Sequence, residues 1–154
     1  MRGLGVVLGL LLALAGHGAM AAEPEYVAHG MAGATPTQVY LRYVEVLREA
    51  EAVEDIMPFS PFPAAQNRRD LEAMPPDQRR QALAFIKGLA PDELEVLGET
   101  VTGDQATVAV RGQFPGMLSG EPEASWGDIT LVRRAGEWKV SNQAFRDTEA
   151  ASAD

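Results

Sequence analysis

The sequence predicts an α+β domain, and three observations predict it. An amphipathic helix opens at Thr35-Pro36, a proline-broken helical middle follows, and two hairpin-like runs fill the C-terminal half. Helices gathered before a run of strands give segregated layers, unlike the alternating order that builds a parallel sheet.

Taken in order, the chain begins with a targeting segment. Met1-Arg2 supplies a positive start, Leu4 to Ala15 is apolar, and Ala19-Met20-Ala21 places small residues where a signal peptidase cuts. Cleavage after Ala21 is expected, which makes residues 1–21 a signal peptide and the product periplasmic or secreted. The apolar run is shorter than the roughly 20 residues of a membrane span, so no stable span is expected after cleavage. Residues 22–34 are small and aperiodic and read as a flexible spacer. The domain is expected to occupy residues 35–145.

Thr35 is a capping residue, Pro36 suits the first helical position and Gln38 completes a capping box. Val39, Tyr40, Tyr43, Val44, Val46, Leu47 and Ala50 then recur at helical spacing and form one apolar stripe. From Val53 to Met74 the prolines at 58, 61 and 63 cut the chain into short pieces, with Asn67 to Ala73 as a brief helix. Asp77 to Leu89 is a further helix, its stripe formed by Ala82, Leu83, Phe85, Ile86 and Leu89.

Leu94–Thr102 and Gln105–Phe114 flank Gly103-Asp104 as the first hairpin, which sets Val101 against Ala106, Glu99 against Val108 and Leu97 against Val110. Pro115 to Ser125 reads as a loop able to cover a site. The second hairpin turns at Ala135-Gly136, pairing Arg134 with Glu137, Arg133 with Trp138, Leu131 with Val140 and Ile129 with Asn142. Ile129, Leu131, Trp138 and Val140 then share a face opposite Glu137 and Lys139. Ala135 is the weak point, because a primed turn wants positive φ there. Residues 146–154 carry no core residues and read as a disordered tail.

The run Leu94-Glu95-Val96 … Val101-Thr102-Gly103-Asp104-Gln105-Ala106-Thr107-Val108-Ala109-Val110, then Asp128-Ile129-Thr130-Leu131-Val132 … Gly136-Glu137-Trp138-Lys139-Val140, resembles the C-terminal half of nuclear-transport-factor-2-like domains. It is most similar to small exported bacterial members of the lumazine-binding-like and SnoaL-like kind. The resemblance implies a cone: a curved antiparallel sheet with the N-terminal helices on its concave face, often around an apolar pocket. The family includes enzymes, binding modules and partner-binding domains, so membership leaves the activity open.

Composition narrows the chemistry. The chain holds 13 Lys and Arg against 22 Asp and Glu, and cleavage would remove Arg2 as well, so it lacks the basic footprint of a nucleic-acid partner. There is no Cys, and His17 falls in the leader, which leaves His29 as the one His of the mature chain. Triads built on His and multi-His metal sites are therefore excluded from the folded part, and neither a metal nor a cofactor is expected. Glu99 is the one carboxylate on an apolar sheet face, where desolvation would raise its pKa and suit it to acid or base work. The bland reading of Glu99 is an edge residue that reaches water. Two functions follow: a non-enzymatic exported domain binding a small apolar molecule or an envelope protein, or a carboxylate-based isomerase, dehydratase or hydrolase with Glu99 as its catalytic group. The missing second polar group favours binding. The expected lining is Tyr40, Tyr43, Leu97, Glu99, Val108, Val110, Leu131, Arg133, Trp138 and Val140, and the open sheet face allows a homodimer.

Overall fold

Helix α1 (Pro36–Glu49) forms where its cap dictates: the Thr35 hydroxyl accepts the Gln38 N–H at 3.2 Å and Gln38 Oε1 accepts the Thr35 N–H at 2.9 Å. Its stripe of Val39, Tyr40, Tyr43, Val44 and Leu47 is buried. The computed structural model describes residues 23–115 and 120–147, so the leader, residues 116–119 and the tail from 148 lie outside it. Among the described residues, no helix is long and apolar enough to cross a membrane.

After α1 comes a 3₁₀ segment, Val53–Phe59, capped by Asp55, whose Oδ2 accepts the Glu51 and Ala52 N–H groups at 2.9 and 3.0 Å. It buries Val53, Ile56 and Phe59. Helices α2 (Ala64–Ala73) and α3 (Pro76–Lys87) follow. The α3 stripe departs from expectation, for Leu83 is buried while Phe85 is 73% exposed. Residues two apart on a helix point about 200° apart, so burying Leu83 turns Phe85 outward.

Strands β1 (Asp92–Thr102), β2 (Gln105–Pro115), β3 (Pro122–Arg134) and β4 (Glu137–Arg146) form one antiparallel sheet in the order β1-β2-β3-β4. In the first hairpin Val101 faces Ala106 and Glu99 faces Val108, as the turn predicts. An irregularity between Val96 and Gly98 then brings Val96, and not Leu97, opposite Val110. In the second, Arg133 faces Trp138 and Leu131 faces Val140, but a shift between Thr130 and Leu131 places Gln143, and not Asn142, opposite Ile129. The loop read from Pro115 to Ser125 is shorter than expected, since β3 is already paired from Pro122. Arg146 belongs to the sheet as well, pairing with Trp126 and donating to Asp128 Oδ2 at 2.5 Å.

One face of the sheet carries Ala106, Val108, Val110, Ile129, Leu131 and Trp138, which join the α1 stripe in a single core. Arg48 donates to the Pro91 carbonyl, and Lys87 Nζ donates to that of Ala50 at 2.8 Å, tying α1 to the start of β1 and to α3. Gly127 has to lack a side chain, because a Cβ there would stand 2.5 Å from the Phe145 ring.

Ala135 and Gly136 have φ of 49° and 80°, both positive as in a type I′ turn. The left-handed region costs an L-residue roughly 1–2 kcal/mol. Ala135→Gly is expected to raise the urea midpoint with an unchanged m-value, by about 0.5–1 kcal/mol after the added chain entropy of Gly is counted.

Candidate functional site

The residues expected to line a pocket divide into three groups. Tyr40, Val108, Val110 and Leu131 are at most 1% exposed and Trp138 is 5% exposed; they pack against α1 or one another and form core. Tyr40 Oη is buried without a partner among the described residues, and burial pushes that phenol well above its ordinary value. Leu97, 48% exposed, is turned out by the β1 irregularity. Arg133 lies over the Trp138 ring at 4.5 Å with Asp104 at 3.7 Å, so its stem covers an aromatic face and its charge has a partner.

Glu99 follows its edge reading and leaves the expected lining. It is exposed, and its Oε2 accepts the Thr37 N–H at 2.8 Å and the Thr37 hydroxyl at 2.5 Å. The carboxylate therefore satisfies the first turn of α1, where the helix dipole favours a negative charge. Its register was readable, but β1 is an edge strand and the side chain reaches past the core to the helix start.

Tyr43 and Val140 do meet at an open space. A cleft of about 320 Å³ lies between α1, the 3₁₀ segment, α3 and β4. Tyr43, Ile56, Met57, Phe59, Ile86, Leu89 and Val140 supply its apolar walls, and Ser60, Ser141, Asn142 and Gln143 its polar ones. The β4 irregularity builds this site, because the extra residue at Ser141 brings Gln143 round to the core face beside Tyr43. Gln143 Nε2 donates to Tyr43 Oη at 3.4 Å, while Gln143 Oε1 has no partner among the described residues. Burial raises the Tyr43 phenol and the Gln143 bond only partly opposes that, so it stays a neutral hydroxyl at physiological pH. None of these lining residues carries a charge.

A second cleft of about 400 Å³ opens on the other side of the 3₁₀ segment. Its floor is Val27, Met57, Ala64 and Leu71, and its rim carries Glu54, Arg68, Glu72 and Arg79 beside the buried Asn67. Asn67 is committed, accepting from Ser60 Oγ at 3.0 Å and donating to the Phe62 carbonyl at 3.3 Å.

Val27 belongs to the segment that the sequence suggested was a flexible spacer. Residues 25–31 instead bind along the domain. Glu25 O accepts the Ala64 N–H at 2.7 Å, and Glu137 takes the His29 and Gly30 N–H groups at 3.0 and 2.9 Å. His29 stacks on Phe59 with centroids 5.1 Å apart, and its Nε2 donates to the Trp138 carbonyl at 2.8 Å while Nδ1 accepts the Met31 N–H at 3.2 Å. Lys139 is 1% exposed and places Nζ 2.7 Å from both the Val27 and Pro58 carbonyls and 3.1 Å from Glu137 Oε2. Alternation assigned Glu137 and Lys139 to the wet face; the strap and the 3₁₀ segment cover them, and each of the three ammonium protons finds an acceptor. Aperiodic sequence carries no signal for docking of this kind, made mostly through backbone groups.

Burial alone would push the Glu137 carboxyl up, but the His29 N–H, the Lys139 hydrogen bond and the Lys139 charge more than offset it and hold it below its ordinary value. A depressed folded value means that the unfolded state binds more protons through that window. Glu137 thus adds stability above an unfolded value near 4.5 that is lost as pH falls through the folded one. Urea titrations from neutral pH down through this window are expected to show a shallower acid loss for Glu137→Gln than for the parent.

Among the described residues no three His, Cys, Asp or Glu side chains gather as a metal site would require. No protein-family model matches the sequence, and no curated protein or solved structure gives a match.

Proposed function

We propose that this chain is an exported, non-enzymatic binding protein whose ligand places an uncharged, apolar part in the cleft beside Tyr43 and Val140. The observation that carries this reading is the composition of the cleft: apolar walls, four neutral polar side chains and no charge, in a strongly acidic protein. A carboxylate, a phosphate or an ammonium would leave water there for no counter-charge. Acid or base catalysis needs a titratable group within reach of the substrate, and this lining supplies only a phenol with a raised pKa. The order of elements and the two hairpins support a nuclear-transport-factor-2-like cone, with α1 filling its concave side and the cleft opening where the sheet edge bends at β4.

Titration with the neutral dye Nile red tests the site. Its emission is expected to shift to the blue with saturable binding, and Ile86→Lys, which brings a charge to the wall, is expected to weaken binding by about tenfold or more. Glu99→Gln, remote from the cleft, is expected to leave affinity unchanged. Absence of saturable binding, or equal binding by Ile86→Lys, rejects the proposal.

A further inference from the structure

We infer that the two clefts are halves of one site for a single-chain alkyl carboxylate, laid across the 3₁₀ segment with Met57 as a movable partition. This rests on the binding reading above and deepens it by giving the ligand a length and a polar end. Met57 lines both clefts and is only half-buried. A methionine suits a partition, because its unbranched thioether changes rotamer without losing a hydrogen bond and packs well against an alkyl chain. Each cleft alone is near the small end of ligand sites, while the two joined fall well within the usual range of about 300–1,000 Å³.

Polarity runs in one direction along this path. The cleft beside Tyr43 and Val140 carries no charge, which suits a chain terminus. The cleft beyond Met57 has an apolar floor and charges at its rim. Of the two rim cations, Arg79 is engaged, donating from Nε to the Met74 carbonyl at 2.9 Å with Glu54 at 3.6 Å. The Arg68 side chain has no ion-pair or hydrogen-bond partner among the described residues. The acidity of the whole chain opposes an anion only weakly, since charges beyond about 8 Å are screened at physiological salt.

Displacement of Nile red by octanoate, dodecanoate and hexadecanoate, each below its micellar concentration, tests the inference. Affinity is expected to rise by up to about fourfold per added methylene as the chain crosses Met57. Met57→Trp is expected to abolish the gain in affinity of hexadecanoate over octanoate, read as the ratio of the two within the variant. Hexadecanoate is expected to bind better than hexadecanol or hexadecyltrimethylammonium, and Arg68→Gln to remove that preference. If Met57→Trp fails to fold, Arg68→Gln, on the exposed side of α2, still decides the head group. Nile red bound without any length dependence, or a preference for the ammonium, overturns the inference and leaves the neutral cleft standing; no Nile red binding at all removes both.

Discussion

Lys139→Met is expected to destabilise the domain by about 3–5 kcal/mol, although methionine matches the volume of the lysine stem. The loss comes from what the ammonium leaves behind. Glu137 would stay buried without its cationic partner, and the Val27 and Pro58 carbonyls would each lose a 2.7 Å donor. Breaking a buried pair by removing one member costs far more than replacing both, because the remaining charge is desolvated with nothing opposite it. The double variant Glu137→Gln with Lys139→Met is therefore expected to be more stable than Lys139→Met alone. Urea denaturation of the two variants checks the ordering, and equal stability would show that the pair is not coupled.

Trp138→Ala is expected to cost about 3–5 kcal/mol, the range for large aromatic deletions in cores. The indole is 5% exposed, belongs to the core shared with α1 and carries the Arg133 guanidinium on its outer face. Truncation after Asp147 supplies the control. It spares Arg146 with its Asp128 bond and is expected to leave the midpoint within about 0.5 kcal/mol. A truncation as damaging as Trp138→Ala would move the domain boundary into the tail.

Much of the fold was legible in the sequence because local chemistry and long-range packing agree there. Thr35, Pro36 and Gln38 cap α1 as their types require, and Gly103-Asp104 and Ala135-Gly136 set the hairpin registers nearest the turns. Legibility faded with distance from each turn. The irregularities near Leu97 and Ser141 carry no strong residue signature, yet one turns Leu97 outward and the other brings Gln143 to the cleft. Of the expected lining, Tyr43 and Val140 reach that cleft, while Ile56, Met57, Phe59 and Ile86 come from segments that sequence patterns treat as punctuation or plain helix. Glu99 was set on the correct face with both its pocket and its edge reading open, since no register tells whether a long side chain at a sheet edge stays inside.

The clasp between His29 and Glu137 has a kinetic side. Its hydrogen bonds join residues more than a hundred positions apart, and they are made to the last strand of the sheet. Closing so large a loop costs entropy before any contact returns it, and contacts of high sequence separation slow folding. During synthesis, helices and the first hairpin can form early, but Lys139 and Glu137 do not exist until the final strand is made. Until then the Val27 and Pro58 carbonyls lack the donor that Lys139 supplies. Docking of residues 25–31 is thus expected to be a late step of folding, after β4 has joined the sheet.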